Sequence, residues 1–136
     1  MAESREPKPA TRDPKNTYTI YDDNTVGTVQ IADEVVAAIA GLAAAEVDGT
    51  AAVGGTPAEE LRGKKGVRNA AKGVRIDVKD GIVHVKIILS IRYGYNIPDT
   101  CKKVQDRVKN ALENMTGLEV AGVNISIADV MIEPGK

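Results

Sequence analysis

The sequence predicts an α+β fold: a two-layer sandwich with two helices packed on one face of a three- to four-stranded mixed sheet, in the order α-β-β-β-α-β. Three observations point there. Residues 74–93 alternate apolar and polar side chains on either side of Asp80-Gly81, residues 97–115 carry an apolar stripe at helical spacing between two end signals, and a second alternating run occupies 119–132.

Taken in chain order, the N-terminal "MAESREPKPATRDPKN" combines Pro7, Pro9 and Pro14 with alternating charge. Such a segment cannot bury enough apolar surface to offset its ordering entropy, so residues 1–17 are expected to be a flexible tail and 18–133 a single domain. After a short apolar stretch around "TVQIA", residues 33–48 place Val35, Ile39, Leu42 and Val47 near one helical face, with Gly49 as the stop. Asp33 and Glu34 stand where the positive end of a helix dipole favours them, and the abundance of alanine predicts close packing. "AAVGGTPAEE" lacks the Lys-Ser/Thr ending of a phosphate-binding loop and reads as a turn leading to a short helix.

The hairpin can be registered from sequence. A two-residue turn at Asp80-Gly81 opposes Lys79 with Ile82, Val78 with Val83, Ile76 with Val85 and Val74 with Ile87, which puts the apolar pairs on one face. The other face carries Arg75, Asp77, Lys79, His84, Lys86, Ser90 and Arg92, a polar pattern broken by Ile82 and Ile88. Those two isoleucines are the candidate self-association face.

The second helix is bracketed by Asn96 as cap, Pro98 and Asp99 in its first turn and Gly117 past its end. Ile97, Cys101, Val104, Val108, Ala111, Leu112 and Met115 form its stripe. "EVAGVNISIADVMI" then brings Val123, Ile125 and Ile127 to one face of a last strand. A strand–helix–strand succession of this length predicts a right-handed crossover with parallel flanking strands.

Composition excludes several classes of function. Eighteen Lys+Arg against nineteen Asp+Glu leave a formal net charge of −1, without the positive field of a dedicated nucleic-acid binder. Phe and Trp are absent and only four Tyr are present, so base-stacking platforms are nearly missing and nucleic acid is disfavoured as a partner. One cysteine and one histidine exclude an intramolecular disulfide and leave no Cys/His cluster for zinc. No metal or cofactor is implied. There is no run of 18 apolar residues and no apolar core near the N-terminus, so neither a membrane span nor a signal peptide is expected, and a reducing cytoplasm fits.

The sharpest local motif is Gly63-Lys64-Lys65-Gly66, which has the form of the loop that clamps nucleic acid in KH domains. Only six residues separate Gly66 from Gly73, under two helical turns at about 3.6 residues per turn, so the second helix of such a clamp does not fit. The loop reads as a basic connector. Arg62, Lys64, Lys65, Arg68, Lys72 and Arg75 nevertheless form a cluster free of acids, the candidate site for an anion or a partner, and it supports an alternative reading as an RNA- or anionic-lipid-binding module. Catalysis finds no constellation. His84 lies mid-strand on the polar face, and Cys101 falls on the helix stripe, where free cysteine behaves as a small hydrophobe.

The segments "GTVQIADEVVAAIAGLAAAEVDGTAAVGG", "LRGKKGVRNAAKGVRIDVKDGIVHVKIILSIRYGYNIPD" and "VQDRVKNALENMTGLEVAGVNISI", in that order, resemble the alkaline-shock, Gls-type family of envelope stress response proteins of mainly Gram-positive bacteria. The resemblance covers roughly residues 27–132, and its most specific parts are "IADEVVAAIAG", "KGVRIDV", "YGYNIPD" and "NMTGLEVAGVNISI". It implies a non-enzymatic cytoplasmic protein that forms homo-oligomers and, as in some members, is held at the inner membrane surface by a separate membrane-anchored protein partner, without inserting itself. It also implies a role in cell-envelope homeostasis or in the control of fatty-acid synthesis, and it brings no catalytic residues.

Overall fold

The computed structural model describes residues 17–23, 26–61, 71–79 and 82–132. In chain order the elements are β1 (Thr17–Asp23), β2 (Gly27–Ala32), α1 (Asp33–Ala45), β3 (Thr50–Val53), β4 (Thr56–Pro57), α2 (Ala58–Leu61), β5 (Val74–Lys79), β6 (Ile82–Arg92), α3 (Ile97–Thr116) and β7 (Val120–Met131). The α+β class is as the sequence predicts, with the main sheet reaching five strands through the two-residue β4. The N-terminal tail expected over 1–17 lies, apart from Thr17, outside the described residues, as do the Asp80-Gly81 turn and the GKKG loop.

Strand β6 is the axis of the sheet. Its first half pairs antiparallel with β5 in the register the sequence predicts, from Lys79↔Ile82 to Val74↔Ile87. Its last residues pair antiparallel with β3, and its opposite flank pairs in parallel with β7 along the whole length. Between β5 and β3, the Ile88 N–H donates to the Gly73 carbonyl (2.9 Å) and the Ile88 carbonyl accepts from the Gly54 N–H (2.8 Å). Two chain segments therefore meet end to end against one residue of β6. A Cβ on Gly54 would lie 2.3 Å from the Gly73 Cα, so only glycine permits this approach, and φ of +57° at Gly54 adds a second reason.

Helices α1 and α3 cover one face. Val83, Val85, Ile87 and Leu89 of β6 and Val104, Val108 and Leu112 of α3 are fully buried, and with Val36, Val53 and the alanines of α1 they form one core. Helix α3 starts and stops where its end signals stand. The Asn96 side chain accepts from the Asp99 N–H at 2.9 Å, and Gly117 takes the left-handed conformation (φ 76°) that most side chains avoid. Its stripe is narrower than the spacing suggests, because Ile97 and Met115 at the two ends are exposed while Thr100 and Thr116 are buried.

Helix α1 corrects the sequence reading. It ends at Ala45, and its buried residues are Val36 and the small Ala37, Ala38, Ala40, Gly41, Ala43, Ala44 and Ala45, whereas Val35 and Leu42 are each 36 % exposed. Ile39 packs on the core only in part, and Val47, beyond the helix, is buried. The large apolar residues mislead here because small side chains let α1 approach the sheet and α3 closely, and that contact outweighs burying the bulkier side. The structure also adds what the sequence showed only as an apolar stretch: β1 and β2 form a separate antiparallel hairpin, attached where Ile31 packs against the core.

Candidate functional site

The face of the sheet turned away from both helices is where unused chemistry collects. Paired residues on neighbouring strands share a face, so the registers lay this surface out in rows. One row runs Arg75–Lys86–Asn124 across β5, β6 and β7, and the next runs Asp77–His84–Gly122. A third sets Lys79 beside Ile82, and on the far side of the Lys86 row Ile88 stands next to Ser126. Arg75, Asp77, Lys79, Lys86 and Asn124 are exposed, and His84 and Ile82 are half-buried. Ile88 is 45 % exposed, the most accessible large apolar side chain in the middle of the sheet.

Arg75, Asp77, Lys79, His84, Lys86 and Asn124 line a cavity of about 460 Å³. Among the described residues, the side chains of these six make no hydrogen bond or ion pair with another residue. The far end of the face is closed differently: Arg92 pairs with Glu59 at 3.9 Å, and Ser90 and Ala52 are buried.

Of the basic cluster read from sequence, Arg62, Lys64, Lys65 and Arg68 lie outside the described residues. Lys72 is exposed just before β5, and Arg75 stands on the open face. Lys86 and Asn124 were not among the candidates. Lys86 was within reach of the sequence, because the hairpin register sets it opposite Arg75. Asn124 was not, since no local pattern determines where a parallel strand registers after a crossover. His84 lies on the open face as expected. Cys101 is half-buried near the start of α3, and burial pushes its thiol above the ordinary value of 9.0, which suppresses the nucleophilic thiolate. Among the described residues, no group of three or more His, Cys, Asp and Glu could hold a metal ion, and no helix is long and apolar enough to cross a membrane.

The outer edge of β7 is a second surface to weigh, because an unpaired edge invites another strand. Its first half is already occupied by side chains of α3. Lys109 Nζ donates to the Val120 carbonyl (3.3 Å), Glu113 Oε2 accepts from the Val120 N–H (3.3 Å), and Gln105 Nε2 donates to the Val123 carbonyl (3.0 Å). Breaks in the β6–β7 register near Gly122 and Asp129 further interrupt the strand. The open face, rather than this edge, is the site to pursue.

The sequence is similar to those of known proteins. The profile of the Asp23 family, described as having a cell envelope-related function, matches residues 21–132; the name is the family's and does not refer to residue 23. The chain is 34 % identical over 113 residues to YqhY of Bacillus subtilis strain 168, covering 83 % of this chain and 84 % of that one. It is 28 % identical over 116 residues to Spy1614 of Streptococcus pyogenes serotype M6, covering 84 % and 96 %, and 28 % identical over 112 residues to YloU of Bacillus subtilis strain 168, covering 78 % and 90 %. No solved structure matches the chain.

Proposed function

The chain belongs to the Asp23 family, whose function is cell envelope-related, and from that premise we propose that it is a non-enzymatic scaffold of the envelope stress response. In this reading the protein associates with a second copy of itself through the open sheet face and works through protein partners at the inner membrane surface, which it reaches by way of a membrane-anchored partner.

The observation that supports self-association is Ile88. It stands 45 % exposed in the middle of a sheet face that neither α1 nor α3 covers, with the small Ser126 on one flank and the backbone of Gly54 and Gly73 on the other. An exposed apolar side chain with a polar rim suits an isologous contact, in which each copy offers the other the same patch. Ile82, half-buried three rows away, is separated from it by the Lys86 and His84 rows.

Light scattering coupled to size-exclusion chromatography across concentrations tests the reading. The expected result is a mass that rises above the monomer, and Ile88→Lys shifts it back while the thermal transition stays within a few degrees of the parent. A strict monomer at the highest concentration removes self-association. Unfolding of Ile88→Lys would show instead that this side chain belongs to the core.

A further inference from the structure

We propose that the transverse row Arg75–Lys86–Asn124 is a binding site for a phosphate-type oxyanion. Electrostatics favours an anion here. Arg75 and Lys86 are directly opposed across β5 and β6, which brings their Cβ atoms to about 5 Å, and like charges so placed destabilise a strand pair. Among the described residues neither cation has an ion pair to offset that repulsion. Asp77, the one acid lining the cavity, lies one row along opposite His84 and pairs with neither. A sheet that keeps two facing cations unpaired in a concavity has them available for an external anion.

The shape of the row suits one as well. The parallel register of β7 sets Asn124 beside Lys86, so that an amide donor completes a line of two cations and one neutral donor across three strands. Neighbouring strands stand about 4.8 Å apart, and arginine and lysine side chains are long enough for their heads to converge on one group above the middle strand. The cavity of about 460 Å³ is within the size range of small-ligand sites. One row further, Gly122 has nothing within 4 Å of where its Cβ would stand, so the floor beside His84 is unobstructed. Glycine inside a strand often marks a close approach to the backbone.

The donor set selects the ligand class. Two cations, one of them a forked guanidinium, and an amide offer only hydrogen-bond donors, apart from the amide oxygen. This suits a multiply charged tetrahedral oxyanion better than an apolar molecule or a metal ion. Lys79 at the far end of the cavity adds positive potential for a second phosphate. A soluble phosphate ester and a phospholipid headgroup share this chemistry. The site uses none of the loop residues 62–70 and does not rest on self-association.

The test is calorimetric titration of the full chain with inorganic pyrophosphate at ~0.1 M salt, where screening confines exposed charges to about 10 Å, beside co-sedimentation with phosphatidylglycerol vesicles and with phosphatidylcholine vesicles. Wild-type protein is expected to bind pyrophosphate or the anionic vesicles, the first identifying a soluble ligand and the second a headgroup. Arg75→Gln and Lys86→Gln should each weaken that binding by about tenfold or more, as the loss of a charge-assisted contact implies, and the double variant should abolish it. Lys103→Gln on α3 removes one charge elsewhere and should change binding less than about twofold, since exposed charges act weakly at a distance. The two single variants should melt no lower than wild type, because each relieves the repulsion. Absence of binding to pyrophosphate and to anionic vesicles, or equal binding by the double variant, overturns the proposal.

Discussion

Gly73 shows how much one missing methyl group decides. Its Cβ, were there one, would meet the Gly54 Cα at 2.5 Å, and that neighbour is backbone, which cannot swing aside. Gly73→Ala is therefore expected to destabilise the domain by about 1–3 kcal/mol, the usual consequence of overpacking, read as a lower midpoint in urea. Thr50 behaves in the opposite sense. It is fully buried opposite Ile91, and its hydroxyl has no hydrogen-bond partner among the described residues. Thr50→Val keeps the β-branched shape and removes the unsatisfied group, so a gain of about 1 kcal/mol is expected, measured by the same denaturation. Ile88 and Arg75 belong to this scale as well, since each matters through what its own side chain leaves unpaired on an open surface.

Between elements, the junction of α3 with β7 is held by one carboxylate. Glu113 accepts from Lys109 at 2.9 Å and from the Val120 N–H at 3.3 Å. The hydrogen bond from Lys109 is the larger cause, and that from Val120 the next, of a carboxyl held below its ordinary value of 4.5. A carboxyl lowered on folding contributes stability that is fully present above the unfolded value and is lost as pH falls through the folded one. Glu113→Gln should thus lower stability above about pH 4.5, by a small amount because the pair is largely exposed to solvent, and converge with wild type in acid, so that its decline with falling pH is the flatter of the two. Thermal melts of both proteins between pH 2 and 7 read this directly. Asn96 is the cap at the other end of α3, and Asn96→Ala should lower stability by about 0.5–2 kcal/mol in the same melts.

For the molecule as a whole, the prediction concerns where it is found. Expressed alone, the chain is expected in the soluble fraction; with its native partners it should move to the membrane fraction, and mild crosslinking before lysis should capture the anchored one. Membrane partition of the chain alone that resists about 1 M salt would contradict this, because screening at that ionic strength shortens the reach of exposed charges to about 3 Å. Release by salt would point to phosphate headgroups on the Arg75–Lys86 row, and the double Gln variant would then remain soluble.

Whatever rested on neighbours in the chain was legible from sequence. The β5–β6 register follows from a two-residue connection and period-two alternation, and the limits of α3 follow from Asn96 and Gly117, because turns, caps and alternation act over a few residues. Tertiary structure decided what depended on competition between distant surfaces. It turned the alanines of α1 inward and left Val35 and Leu42 half out, since a helix rotates to maximise contact with the layer it meets rather than to hide its largest residues. It also brought Gly54 against Gly73 and Asn124 beside Lys86, contacts between segments that no local pattern relates. The site candidate arose in the same way: its charges were visible in the hairpin, but the row they form across three strands exists only once β7 has docked in register against β6.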